Sequence, residues 1–445
     1  MAGRLGVSAS YVNLLENNQR SLSVKILLAL TDSYGVAWQE LINDNDVSQL
    51  ADLRATVRDP MFSGAAPDLQ ELRAALDHAP QLVAQFLQLH ENYRSMLGRL
   101  QHVEEYGAMP DILAASPEAA VYDLFRKHAN YFAGIEAAAD QLRVAVGGRP
   151  DDIYANLKRH LSNAHGIEVE LVSIDEMSQT LRIFDEARRR VQLSEAFDQI
   201  NRNFQLACVI AFVSCGSLFD ELIAGSAPLP DATRTRCRVE LANYFAAAFL
   251  MPYEPFLSLA ESTGYDIDRI AASFGVSFEM VCHRLTTLQR KGAQGVPFFF
   301  LRLDRAGNVT KRFNATTISL ADKGGSCPVW KIHSGFAAPD TMISQFVELP
   351  DAGQFFTISR TTGRPVTNRH NQDRRLVVTL GCERAHAERI GYARSLRVVD
   401  DENIAKIGIN CHICPRQACA QRAHEPMHLN LTVDANRRGS TRYES

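Results

Sequence analysis

Apolar positions along the chain recur at two spacings, and the change from one to the other divides the sequence. MAGRLG reads as a helix end stopped at Gly6, and Ser8 caps a second helix that turns Tyr11, Val12 and Leu15 inward. Leu22, Ile26, Leu27 and Leu30 follow at helical spacing, and Gly35 ends that element. Residues 46–66 are polar and loop-like, with Pro60, Gly64 and then Pro67 as punctuation. The helical period returns over 68–105, in Leu69, Leu72, Leu76, Leu82, Phe86, Leu89 and Tyr93. From 116 to about 290 the pattern predicts helices over 117–145, 152–163, 196–222 and 233–250. Two strands interrupt them, at Ile167-Val169-Leu171 and at Thr180 to Phe184. Beyond 295 the period shortens to strand-like runs at Pro297 to Leu303, Phe355 to Ser359 and Leu376 to Thr379. The expected fold class is mainly α with α+β parts, divided at 1–45, 46–115, 116–294 and 295–445.

Composition narrows the function classes. With 445 residues, of which 46% are hydrophobic, there is material for two to four domains at roughly 100 to 200 residues each. A net charge of -4 excludes a globally basic nucleic-acid coat, so any DNA contact must be a local patch. No cationic start leads into an apolar stretch, which speaks against a secretory signal. The most apolar run, Leu206 to Cys215, is about half a membrane span. Nine cysteines, an odd number, argue against a disulfide framework. The expectation is a soluble cytoplasmic protein without membrane contact.

Three constellations carry chemistry. In LGVSASYVNLLENNQR, a helix, a tight turn at Gly6 and a second helix make a helix-turn-helix, in which the first helix braces the second in the major groove. Ser8, Ser10, Tyr11 and Asn13 lie at the exposed start of the second helix, suited to base edges and phosphates, and Arg20 is placed for a phosphate. At the other end, Cys411, Cys414 and Cys419 give C-x2-C-x4-C, and Cys382 is the expected fourth ligand, with His412 and His424 as substitutes. A turn between two such cysteines aims both sulfurs at one centre, and four thiolates suit structural zinc or a [4Fe–4S] cluster. Arg416 and Arg422 stand nearby to offset negative charge. In the middle, FQLACVIAF and ELANYFAAAFLMP resemble the IrrE-like metallopeptidase pattern FxLAHExxH with its later EAN-type ligand. Cys208, Val209 and Phe212 stand where that pattern needs histidine, glutamate and histidine, and only Glu240 survives. A peptidase scaffold without its chemistry is expected.

Other segments are less specific. FGVSFEMVCHRLTTLQR repeats the turn-like pattern, as a second DNA-reading element or, more simply, a packed helical hairpin. Phe298, Phe299, Phe300 and Arg302 suit either an acyl chain and a phosphate or a buried strand with one edge arginine. The run Arg188-Arg189-Arg190 suits a solvated face, or contacts to phosphates or DNA.

The amino-terminal motif resembles the lambda-repressor-like, Cro/C1-type family. Against that family the first helix is missing, so the expectation is either a start further upstream or impaired DNA binding. Together with FGVSFEMVCHRLTTLQRKG, GVPFFFLRLDRAGNVTKRF and CHICPRQACAQRA, the three constellations resemble the short-chain fatty acyl transcriptional regulators over nearly the whole chain. The resemblance implies a lambda-repressor-like helix-turn-helix, a helical connector, a degenerate IrrE-like α+β domain and a carboxy-terminal α+β metal-binding domain. It further implies a regulator of propionate-, acetate- and glyoxylate-linked metabolism that senses a short-chain acyl-CoA. A [4Fe–4S] cluster on Cys411, Cys414, Cys419 and Cys382 belongs to the same expectation, as does binding of double-stranded operator DNA as a homo-dimer or higher symmetric oligomer. The rival is an IrrE-like stress regulator, or a metallopeptidase acting on a repressor partner, with the cysteines on structural zinc.

Overall fold

The computed structural model describes Val12 and residues 50–426, less 51, 60, 63–66, 107–116, 148–151, 178–179, 225–228, 317, 319–326, 364–374, 395, 397–403, 409, 413 and 418. The DNA contacts expected at Ser8, Ser10, Tyr11, Asn13 and Arg20 lie outside the described residues; Val12 is helical and buried. Two compact units are formed, residues 1–93 and 94–445.

In the first unit, α1 (Leu69–His78) opens on a reciprocal cap. The Asp68 carboxylate accepts the amides of Gln70 and Glu71 at 2.8 and 2.9 Å, and Glu71 accepts the Asp68 amide at 3.1 Å. Helix α2 (Pro80–Tyr106) begins on a proline, where a missing N–H leaves no bond unmade. Leu53, Leu72 and Val83 form a small core, and His90 meets Asp59 at 3.1 Å. Leu82 and Leu89, one heptad apart on α2, each remain 67% exposed.

The second unit begins with α3 (Pro117–Lys127), α4 (Ala133–Val146) and α5 (Ile153–His165). A small sheet follows, from β1 (Glu168–Val172), a short α6 (Ile174–Met177), β2 (Arg182–Asp185) and β3 (Arg190–Ser194). Strand β3 lies between the others, parallel to β1 and antiparallel to β2. Six helices come next: α7 (Gln199–Ser214), α8 (Gly216–Ala224), α9 (Asp231–Leu250), α10 (Tyr253–Thr263), α11 (Ile267–Phe274) and α12 (Phe278–Leu285). Helix α9 is apolar on nearly every side through its second half and is accordingly buried there. Two predicted helices are each broken in two. The 117–145 helix stops where Ala129 and Asn130 take left-handed φ values of 47° and 56°, and Asn130 ties that break to the Asn314 carbonyl at 2.8 Å. The 196–222 helix bends by 74° between α7 and α8. Among the described residues no single helix is long and apolar enough to cross a membrane.

A six-stranded sheet closes the unit in the order β5-β4-β8-β7-β6-β9, from β4 (Phe299–Leu303), β5 (Val309–Asn314), β6 (Ile343–Glu348), β7 (Gln354–Thr362), β8 (Leu376–Glu383) and β9 (Ala405–Lys406). Its pairings are antiparallel except the edge pair β6–β9. Alternation along β8 separates the faces. Val378, Leu380 and Cys382 enter the large core shared with the helices, and Val377 enters a second core with Phe299, Cys327, Trp330 and Ile332. The large core runs without interruption from Ala120 to Ala393, so helices and sheet of this unit share one interior.

The turn motif at Phe274 resolves as α11, a left-handed Gly275 (φ 62°), and α12 capped by Ser277. Phe278, Val281, Cys282, Arg284 and Leu285 of α12 are all buried, so this helix is core and does not present a DNA-reading face. At its centre Arg284, with no exposure, makes two bonds to Glu136 of α4 at 2.6 and 2.9 Å and others to the Met251 carbonyl and Thr287. Tyr244 of α9 donates to the same Glu136 at 2.6 Å. Burial alone raises the Glu136 carboxyl, but the guanidinium holds it below its ordinary value. Removing one partner leaves a buried unpaired charge. Arg284→Met is therefore expected to cost about 3–5 kcal/mol of unfolding free energy, read by urea denaturation. The double variant with Glu136→Gln should lose less than the sum of the two singles.

Candidate metal centre

The cysteine run folds back on the sheet edge. After β9 pairs with β6, the Ile407 amide donates to the Glu348 carbonyl at 2.9 Å, continuing the edge. Arg416 then fastens the loop, donating to the carbonyls of Ile407 and Glu348 at 3.0 and 2.9 Å and approaching the Glu348 carboxylate at 3.5 Å. Within the run, the Cys414 amide reaches the Cys411 carbonyl at 3.4 Å, closing the turn expected of C-x2-C.

Cys411, Cys414 and Cys419 line one small cavity, together with Lys406, Asn410, Arg416 and Arg422. The fourth cysteine on its wall is Cys327 rather than Cys382. Cys327 precedes the 3-10 turn Lys331–Phe336 and belongs to the core on the sheet face opposite Cys382. Burial pushes its thiol up, while the backbone amides of Gly408 and Val329 at the sulfur pull it down. Cys382 sits opposite Phe356 in the β7–β8 ladder, fully buried among apolar side chains, its thiol raised to about 12 by burial and the neighbouring Glu383. Strand parity aims Cys382 into the helical core, away from the cavity that the other three expected ligands line. His412 and His424 stack on one another with centroids 4.5 Å apart, and neither lines the cavity.

Four features of this wall suit a thiolate-bound inorganic group. The donors are four sulfurs. Gly408 makes room for them, since a Cβ there would stand 2.6 Å from the Cys414 sulfur. Two backbone amides face the Cys327 sulfur. Arg422, 6% exposed, has Nε and Nη1 buried without a hydrogen-bond partner. Among the described residues no three His, Cys, Asp or Glu side chains converge tightly enough to hold a single ion as they stand.

The peptidase-like site is a different case. Cys208 is buried, its thiol raised to about 12 by desolvation, and it donates to Asn243 Oδ1 at 3.5 Å. Val209 is buried, and Arg182 lies over the Phe212 ring at 5.6 Å. Glu240 is met by Arg236 at 2.8 Å and by Lys311 of β5 at 3.1 Å, with Asn243 donating at 3.2 Å. Arg236 and Lys311 thus pair with the one carboxylate that survives of the pattern.

Neither of the looser segments forms a site. Phe298, Phe299 and Phe300 are buried in the cores, and Arg302 is held by Glu279 at 2.7 Å and by Thr310 at 3.0 Å, as a strand with an edge cation. Arg188 and Arg190 pair with Asp185 and Glu170 on the exposed small sheet.

The geometry joins a helical domain, in which Cys208, Val209 and Phe212 hold the positions of the peptidase pattern, to a sheet that carries a cysteine-lined cavity, around one core. The comparisons supply the class. Residues 162–286 match the IrrE N-terminal-like domain, and residues 287–443 match the short-chain fatty acyl coenzyme A regulator, C-terminal. The chain is 36% identical over all its length to a propionyl-CoA carboxylase regulator of Cereibacter sphaeroides, covering 94% of that protein. It is 33% identical to the HTH-type transcriptional regulator PrpR of Mycobacterium tuberculosis, over 100% of this chain and 92% of that one. It is 32% identical to the HTH-type transcriptional regulator RamB of the same species, over 98% and 93%. A solved Mycobacterium tuberculosis transcriptional regulator superimposes with a TM-score of 0.69 at 34% identity, over 74% of this chain and all of that one. The chain belongs to the short-chain fatty acyl-CoA regulator family, whose members found here are transcriptional regulators, not enzymes.

The vestigial site has a pH signature. Burial alone would raise Glu240, but Lys311 and Arg236 hold it at about 2 against an ordinary 4.5. Its contribution to stability is complete above pH 4.5 and is lost as pH falls toward 2. His283, pushed down to about 3 by burial and by Lys311, acts in the same direction between 6.5 and 3, because the unfolded ring takes a proton the buried one refuses. Thermal unfolding followed from pH 7 to pH 3 should therefore fall more steeply below pH 4.5 in the parent chain than in Glu240→Gln, whereas the loss above pH 4.5 should be common to both.

Proposed function

We propose that this chain is a DNA-binding transcriptional regulator of short-chain fatty acid metabolism. In this reading residues 1–45 engage operator DNA through Ser8, Ser10, Tyr11, Asn13 and Arg20, and the remainder senses a short-chain acyl-CoA. The observation that carries it is the match along essentially the whole chain to relatives named as HTH-type transcriptional regulators and as a propionyl-CoA carboxylase regulator. One helix-turn-helix reads one half-site, so the protein works in the cytoplasm as a homo-dimer or higher symmetric oligomer. The exposed Leu82 and Leu89 of the connector are in keeping with such pairing. An acyl-CoA acts by binding one arrangement of the reading heads better than another.

We assign Cys327, Cys411, Cys414 and Cys419 as ligands of a [4Fe–4S] cluster. Four cysteine sulfurs beside the buried, half-satisfied guanidinium of Arg422 support this reading, since a cluster is held by cysteine thiolates and takes hydrogen bonds at its sulfurs. When bound, such a group supplies a redox-sensitive charge and a crosslink that holds the loop after β9 to Cys327.

Iron, sulfide and zinc analysis of anaerobically purified protein tests the assignment. About four irons and four sulfides per chain are expected, lost in Cys327→Ala and in Cys411→Ala/Cys414→Ala but kept in Cys382→Ala. Retention in Cys327→Ala with loss in Cys382→Ala would reject this ligand set. One zinc without colour would reject the cluster. For the effector, a panel of acyl-CoAs should raise the unfolding temperature of the full chain in proportion to ligand excess, with short chains ahead of long ones. No shift with any of them would reject acyl-CoA sensing.

A further inference from the structure

Three cations border the cysteine cavity, Lys406, Arg416 and Arg422, and they are not equivalent: Lys406 is exposed to solvent, which screens its charge. Arg416 is spent on the sheet edge: its guanidinium serves Ile407, the Glu348 carbonyl and the Glu348 carboxylate. Arg422 is 6% exposed and donates through Nη2 to the Arg416 carbonyl, while Nε and Nη1 face no acceptor among the described residues. It alone among the described residues has two buried side-chain donor atoms without a partner. A native chain seldom keeps a desolvated guanidinium half-satisfied, because buried polar groups find acceptors and buried charges find counter-charges. Among the described residues no carboxylate lines the cavity; its wall offers Cys327, Cys411, Cys414 and Cys419 instead.

We infer that Arg422 is the built-in counter-charge of the group held by these cysteines, donating its two unused N–H bonds to the sulfur side of that group and setting its reduction potential. The inference rests on the ligand assignment above and adds a positioning residue that is not itself a ligand. Four thiolates leave either a cluster or a zinc site with net negative charge, and hydrogen bonds and nearby positive charge at sulfur favour the more negative, reduced state. Arg416, already neutralised by Glu348, contributes little to that balance. Lysine at 422 would keep the charge but not the planar fork.

The experiment compares the parent full-length chain with Arg422→Met and Arg422→Lys. Each is prepared anaerobically, checked for folding by circular dichroism, and analysed for iron, sulfide and zinc. Each is then titrated with dithionite while the visible band is followed. Arg422→Met is expected to shift the reduction equilibrium about tenfold against the reduced state, which is about 59 mV lower for one electron. Arg422→Lys should recover part of the shift. If Arg422→Met does not fold, Arg422→Lys alone decides, by an intermediate downward shift or none. If zinc is bound, the redox part of the inference is overturned and the counter-charge part is read by loss of zinc to a chelator, expected about tenfold faster in Arg422→Met, within the usual cost of an outer partner. Unchanged loading, potential and release in the variants, with the parent chain loaded, would overturn the role of Arg422 and leave the ligand assignment standing. A parent chain that binds neither cluster nor zinc would overturn both.

Discussion

A guanidinium with no access to water sets the terms for the large unit. Arg284 reaches Glu136, the Met251 carbonyl and Thr287 at once, and Tyr244 completes the carboxylate's shell. These bonds fix α4, the end of α9 and α12 relative to one another, because a charge in so apolar a setting tolerates little displacement of its partner. Everything nearby is packed to that arrangement, including the aromatic group of Phe125, Phe132 and Tyr244. The sheet is laid against the same helices, with Phe300 and Phe313 meeting His283 of α12. Helical and sheet portions therefore have a common interior, and the change of character near residue 295 in the sequence marks a change of secondary structure rather than a break in packing.

The sheet then sorts the cysteines. Along β8 alternate residues enter different cores, so Cys382 and the cavity cysteines are divided by strand parity and by the strands between β8 and the β9 edge. Two signals in the sequence pointed this way. Cys382 ends the run LVVTLGC, whose apolar character reads as a buried strand. Cys327 is followed by Pro328 as Cys414 is followed by Pro415, the same dipeptide in two loops. What the sequence lacks is the β6–β9 pairing that brings those loops together, a contact between segments far apart in the chain.

Helical segments were legible where the apolar run was long, as in Asp231–Leu250, or stopped at a left-handed glycine, as Ile153–His165 does at Gly166. The failures came where tertiary contacts overrode continuity. Asn130 accepts a left-handed backbone because its amide finds the Asn314 carbonyl, which no local pattern announces. Strand β3 went unread because its first residue belongs to a run of three arginines that resembles a solvated face, although Val191 and Leu193 behind it are fully buried. The loss of peptidase chemistry was legible outright, since Cys208, Val209 and Phe212 cannot do the work of the residues they replace. The identity of the group that faces Glu240 was not, because Lys311 arrives from a different part of the chain.

That last contact changes what the domain depends on. A peptidase of this shape borrows its central cation from solution and loses it to any stronger binder. Here the positive charge beside Glu240 is carried on a side chain of β5, covalently part of the protein. The charge that faces Glu240 is therefore set by folding itself, when β5 meets α9, and draws on no ion from solution.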